Sequence, residues 1–227
     1  MSPFMMIMAV LPAVVVFTYV YRKDTIEKEP TSLLARLFAL GALSGVVAVV
    51  VELLLEGILL SGLREGTFMY RVVENFVTLA LVEEAGKYIM LRRATWRSPH
   101  FNYLFDAVVY AVAVSLGFAT LENVMYLMDG SLSTAIGRAI LSVPGHAIYG
   151  VFMGCYYGAA KRCELAGDGN GRKHNMTLAL VVPVLLHGFY DFAIDASLFI
   201  PFVLFEIVVT VSAVKCVRRF SREDAQL

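Results

Sequence analysis

Residues 104–128 read LFDAVVYAVAVSLGFATLENVMYLM, a run in which Asp106 and Glu122 are the only charged side chains. About 20 mostly apolar residues carry a helix across a bilayer core, whereas a barrel strand needs about 10 in strict alternation. This run is helical in length and does not alternate. Six more runs of the same kind fall at 3–21, 34–61, 72–91, 135–160, 176–195 and 198–216. The expected fold is therefore all-α, a polytopic transmembrane helix bundle of about seven spans, with residues 1–227 forming a single integral membrane domain. Composition agrees, since 59% of the 227 residues are apolar and 17% charged, against about 25% charged in soluble domains. That balance excludes a water-soluble globule, and with 17 Gly and 3 Cys also a collagen-like, disulfide-stapled or disordered chain. Nineteen Lys and Arg offset nineteen Asp and Glu, which argues against nucleic acid as a partner. The lipid bilayer is the expected environment.

Orientation follows from the distribution of cations, which accumulate on the cytoplasmic side. Fifteen of the nineteen fall in alternate connections or the tail: Arg22, Lys23, Lys28 and Arg36; Arg92, Arg93 and Arg97; Lys161, Arg162, Arg172 and Lys173; Lys215, Arg218, Arg219 and Arg222. Arg64, Arg71 and Arg138 lie on the opposite side, and Lys87 lies within a span. The N-terminus is expected outside and the C-terminus in the cytoplasm. No basic residue precedes the first run and cations follow it, so it reads as an anchor rather than a cleaved leader. Cys155, Cys163 and Cys216 fall on the inner side, where thiols stay reduced. Residues 161–175, with three glycines, read as the one flexible connector.

A charge at the centre of a membrane helix costs about 2.5–3.5 kcal/mol on insertion scales, so these residues need partners or a wet cavity. The third run carries Glu83, Glu84 and Lys87, the fourth Phe118 and Glu122, the fifth His146, and the sixth His187 and Asp191. Counted from the outer ends of their spans, these groups lie roughly 6–18 Å deep, compatible with one layer in the outer half of the membrane. Interhelical bonding suffices for Glu52, Glu56, Glu74, Asp106 and Asp129 as structural groups. It strains for Glu83, Glu84, Glu122 and Asp191, four carboxylates facing one lysine and two neutral histidines. Pro144 and Pro183, each shortly before a histidine, free the carbonyls of Ile140 and Ala179 and can open their helices.

Two chemistries suit this set. A carboxylate can activate water as a general base while histidines and backbone amides stabilise the oxyanion of a scissile peptide. Alternatively, His146, His187 and a carboxylate such as Glu122 form a catalytic Zn2+ ligand set. Spacing alone leaves both open. A transporter or proton pathway uses similar groups, although no inverted repeat is detectable. A non-catalytic scaffold could pack a transmembrane partner on small residues such as Gly41 and Gly45.

Glu-Glu-x-x-Lys at Glu83, Glu84 and Lys87, Phe-x-x-x-Glu at Phe118 and Glu122, His-x-x-x-Gly at His146 and Gly150, and His-x-x-x-Asp at His187 and Asp191 occur in order in successive spans. In this the chain resembles the PrsW family of bacterial intramembrane proteases, distant relatives of the CAAX prenyl proteases, over residues 70–200. The resemblance implies a multi-pass protein of the bacterial cytoplasmic membrane that makes the first cut in a membrane-anchored anti-sigma factor, or a similar single-span protein, on its extracytoplasmic side. It implies Glu83 and Glu84 as the catalytic pair, with Glu122, His146, His187 and Asp191 completing the site and Lys87 as a structural counter-ion. CAAX-type enzymes have His where this chain has Glu122, and the extra carboxylate favours a bound divalent ion, Zn2+ being slightly preferred over none.

Overall fold

The computed structural model describes residues 3–129 and 132–227. Seven helical rods run through it: α1 (Pro3–Lys23), α2 (Thr31–Leu60), α3 (68–95), α4 (Asp106–Asp129), α5 (132–165), α6 (Gly169–Asp195) and α7 (Phe199–Arg222). Among the described residues the only β pairing is an isolated bridge between Tyr103 and Gln226. The all-α bundle is thus the fold the hydrophobic runs specify. Six rods are long and apolar enough to cross a membrane. The exception is α3, whose length suffices but which carries Glu74, Glu83, Glu84, Lys87, Arg92 and Arg93.

The connector expected at 161–175 is instead mostly helix. α5 continues to Leu165 and α6 starts at Gly169, leaving a three-residue turn. Gly167 takes a positive φ of 74° there, the left-handed conformation that ends a helix cheaply in glycine. The Asp168 carboxylate accepts from Gly171 N at 2.8 Å and caps the next helix. Basic residues at 161–173 lie on helix ends that extend past the apolar stretch, where hydropathy alone cannot follow them.

The central post is α4. Residues 107–117 are buried almost without exception, whereas α1 and α7 turn Val14, Val15, Ile207 and Val208 outward. In water such faces would be a liability; in a bilayer they meet acyl chains. Glycines let the neighbours approach α4 closely. A Cβ on Gly41 of α2 would land on the Val114 carbonyl, and one on Gly117 would land on that of Phe38. A Cβ on Gly154 of α5 would strike Val108 Cα at 2.5 Å, with Gly150 and Gly158 one turn to either side against the same rod. Gly41 and Gly45 are therefore spent inside the bundle rather than on a partner's helix. Asp106 accepts from Asn102 N and Tyr103 N at 3.1 and 2.7 Å, a structural role as its position suggested. The side chain of Asp129 lies outside the described residues.

Residues 24–30, residues 96–105 and the tail meet at one end of the bundle, three of the four segments that the cation pattern assigns to a common side. Asn102 Nδ2 donates to Glu27 at 3.1 Å, Phe105 N to Asp224 Oδ1 at 2.8 Å and Leu227 N to Asn102 O at 2.7 Å. Lys28 donates to the carbonyls of Tyr21 and Asp24. Burial pushes the Asp24 carboxyl up from 3.8 to about 6, with Lys28 opposing the shift. Between α5 and α7 the side chains of Cys155 and Cys216 meet, while Cys163 stands apart from them. Packing of α5 on α7 brings together these two cysteines, 61 residues apart in sequence.

At the other end three rods widen into π-helical turns: Glu56–Leu60 in α2, Val73–Ala80 in α3 and Arg138–Ser142 in α5. Pro144 lies two residues beyond the last of these. π-turns insert an extra residue and displace backbone groups, often at functional sites. Here the turns of α3 and α5 contribute Leu79, Arg138, Leu141 and Ser142 to the wall of a cavity.

Candidate active site

On α3, Glu83, Glu84 and Lys87 lie within one turn, so their side chains meet. Lys87 Nζ is fully buried, 2.7 Å from Glu84 Oε1 and 3.4 Å from Glu83 Oε2. It also lies 3.0 Å from His146 Nδ1 and 3.9 Å from the centre of the Phe118 ring. An ammonium only donates, so His146 Nδ1 accepts and the ring proton sits on Nε2. His146 Nε2 then donates to Glu122 Oε2 at 2.8 Å. His187, from α6, differs in facing a carboxylate with each ring nitrogen, Nδ1 3.0 Å from Glu84 Oε1 and Nε2 3.2 Å from Asp191 Oδ2, so that both nitrogens donate when no metal ion is bound. The two imidazoles stand nearly perpendicular with centroids 5.1 Å apart.

Local sequence explains how these groups arrive. Gly188 lets α6 lie against α3, since a Cβ there would enter the Phe76 ring. Gly150, one turn after His146, seats α5 on Ser115 of α4. Arg138, in the π-turn before Pro144, places Nη2 2.9 Å from Glu122 Oε2 and donates from Nε to Asn123 Oδ1 at 2.9 Å. Its guanidinium lies 4.0 Å from the centre of the Tyr126 ring. Asn123 in turn donates to Ala9 O at 3.1 Å, tying α1 to the site.

A cavity of about 990 Å³ opens beside this cluster, with Glu83, Glu122, His146, His187 and Asp191 on its wall. Glu84 and Lys87 stand behind that wall, completely buried. All seven residues singled out from sequence thus converge from α3, α4, α5 and α6. Three others on the cavity wall escape the sequence reading of function: Glu52, Arg138 and Tyr149. Glu52 reads as an isolated span charge and Arg138 as a loop cation. Tyr149 lies three residues after His146, a spacing that puts both on one helix face and is the signal available for it.

The donor set suits a divalent cation. Glu83, Glu84, His146 and His187 each offer an atom within 4.8 Å of the others. Both histidines direct Nδ1 inward and hold a carboxylate on Nε2, the arrangement that orients and strengthens imidazole ligands. Glu84 Oε2 is buried without a hydrogen-bond partner, leaving lone pairs for a cation. Lys87 contacts three of the four donors, so an entering ion would take over contacts that the ammonium makes. Glu122, the carboxylate expected among the ligands, instead sits on the outer nitrogen of His146.

The family model of PrsW intramembrane metalloproteases matches residues 29–216, and so takes in every residue of this cluster. The chain belongs to the PrsW family. It is similar to the Protease PrsW of Bacillus subtilis, 36% identical over 187 residues, covering 82% of this chain and 81% of the relative. The Oceanobacillus iheyensis protein of the same name is 35% identical over 183 residues, covering 81% and 79%. That of Clostridioides difficile is 31% identical over 191 residues, covering 82% and 77%. No solved structure matches the chain. The match extends beyond 70–200 to include α2, whose Glu52 lines the cavity. Membership makes the chain a peptidase of the membrane, in place of the transporter and scaffold alternatives.

Proposed function

We propose that this peptidase hydrolyses a peptide bond in a membrane-anchored single-span protein, an anti-sigma factor or a protein like it, on the extracytoplasmic side of the bacterial cytoplasmic membrane. The N-terminus lies outside and the C-terminus in the cytoplasm, the orientation that the fifteen cations favour. The observation that carries the reading is a carboxylate, Glu83, beside two carboxylate-held imidazoles on the wall of a cavity within the bundle.

Glu83 is the general base. It faces the cavity and its nearest cation is Lys87 at 3.4 Å, whereas Glu84 is engaged by Lys87 at 2.7 Å and His187 at 3.0 Å. Glu83 takes a proton from water as the water oxygen adds to the scissile carbonyl carbon, then returns it to the leaving nitrogen. Glu122 and Asp191 hold the outer N–H groups of His146 and His187 and fix their orientation. Lys87 offsets the charge of Glu83 and Glu84. His146, His187 and Glu84 would hold Zn2+, which supplies Lewis acidity to polarise oxygen at the site.

The test is co-expression with a single-span reporter. Glu83→Gln and His187→Ala are expected to accumulate in the membrane and leave the reporter intact. Cleavage at the wild-type rate in both would overturn the proposal. Elemental analysis of the purified chain is expected to find close to one zinc, lost in His146→Ala; no metal in the wild type would remove Zn2+ from the scheme.

A further inference from the structure

We infer that Tyr149 is a catalytic residue, its hydroxyl donating a hydrogen bond to the scissile carbonyl oxygen as that oxygen becomes an oxyanion. The inference rests on the proposed peptidase site and adds the electrophilic group to it. Tyr149 is 2% exposed, lines the cavity and stacks on His187 with centroids 5.0 Å apart and planes 21° from parallel. Its ring also meets His146 edge-on at 6.0 Å. The hydroxyl is buried with no hydrogen-bond partner. A phenylalanine would stack on His187 equally well, and a hydroxyl taken out of water without a partner weakens a fold. The hydroxyl is therefore explained by a partner that arrives with the ligand.

Two of the carboxylates on the wall are engaged by other side chains, and the Tyr149 hydroxyl bonds to none of the wall's acceptors. Glu122 binds His146 and Arg138, and Asp191 binds His187. The hydroxyl lies 3.3 Å from where a Cβ on Gly145 would stand, one turn back along α5 and next to His146. The glycine thus keeps clear the ground in front of the O–H. A tyrosine O–H is a good donor, and a substrate carbonyl entering the cavity is the acceptor it lacks. In the balanced step, the water oxygen forms a bond to the carbonyl carbon, its proton passes to Glu83, and the carbonyl π pair moves onto oxygen. Tyr149 donates to that oxygen without giving up its proton. The pair then returns, the C–N bond breaks, and nitrogen receives the proton from Glu83. A donor aimed at developing charge acts in the transition state more than in the ground state.

The experiment is steady-state cleavage of a single-span substrate by the purified chain in lipid vesicles, comparing wild type, Tyr149→Phe, Gly145→Ala, the double variant and Glu83→Gln. Tyr149→Phe is expected to lower kcat about 100-fold, in the range of other lost oxyanion donors, with KM within about twofold and thermal stability unchanged or higher. Gly145→Ala puts a methyl against the hydroxyl; it should lower kcat in the wild-type background and have little further effect in Tyr149→Phe. Wild-type kcat in Tyr149→Phe alongside inactive Glu83→Gln would overturn the role of Tyr149 and leave the peptidase site standing. So would a loss in Tyr149→Phe confined to KM or to thermal stability. Wild-type kcat in both Tyr149→Phe and Glu83→Gln would overturn the site itself and this inference with it.

Discussion

Replacing Lys87 by methionine removes the one ammonium at the centre of the cluster while keeping side-chain length and apolar volume. Lys87 is fully buried and contacts Glu84 at 2.7 Å, Glu83 at 3.4 Å, His146 at 3.0 Å and the Phe118 ring at 3.9 Å. Removing one partner of a buried ion pair leaves an uncompensated charge and costs about 3–5 kcal/mol. Two carboxylates depend on this lysine, so the loss should fall at the upper end of that range. Glu84→Gln in the Lys87→Met background removes one of the stranded charges and should recover about 2–3 kcal/mol, a coupling typical of residues in direct contact. The assay is reversible unfolding in mixed micelles, followed by circular dichroism in the presence of a chelator. Zn2+ added in excess should then stabilise Lys87→Met more than wild type, because the ion meets no competing ammonium. A Lys87→Met chain within about 1 kcal/mol of wild type in chelator would refute the reasoning, since no net negative charge would then need balancing in the core.

Two further outcomes follow from the packing and from the far end of the bundle. Gly154→Leu places a side chain where even a Cβ would meet Val108 Cα at 2.5 Å, so α5 cannot seat on α4 and His146 cannot reach Lys87. The variant should fail to accumulate in the membrane, read by immunoblot, whereas Gly57→Leu, where a Cβ meets nothing within 4 Å, should accumulate normally. At the opposite end, burial raises the Asp24 carboxyl from 3.8 to about 6. The folded chain therefore binds this proton more tightly than the unfolded chain, and the stability it contributes in acid is lost as pH rises from about 4 to 6. Asp24→Asn should remove that slope from thermal unfolding midpoints measured across the window; an unchanged slope would count against it.

The seven rods were legible because run length and lack of alternation survive any detail of packing. The charged members of the site were legible for a related reason: lipid makes Glu83, Glu84, Glu122 and Asp191 conspicuous by their cost. Rod ends were not, because helix 161–165 and helix 169–175 continue past the apolar stretch into basic sequence that hydropathy reads as loop. Which carboxylate faces the inner nitrogen of a histidine is a matter of ring orientation, so Glu122 could not be separated from Glu84 by spacing. Arg138 and Tyr149 were hidden for opposite reasons. Arg138 passes for an ordinary outer-side cation until the Arg138–Ser142 π-turn carries it to Glu122. Tyr149 is one aromatic among many until its hydroxyl is found without a partner. The approach of Cys155 to Cys216 depends on α5 lying against α7, a contact between rods that no local pattern announces.

The most direct test of the central claim, that this buried Glu and His cluster activates water against a peptide bond, is mass spectrometry of the substrate fragments released by the purified chain in vesicles made up in 18O-labelled water. The account predicts one labelled oxygen in the new C-terminal carboxylate of the wild-type product, at a bond on the same side of the bilayer as the π-turned ends of α2, α3 and α5, and no product from Glu83→Gln. An unlabelled new terminus, a cut on the opposite side of the bilayer, or labelled product from Glu83→Gln at the wild-type rate would contradict it.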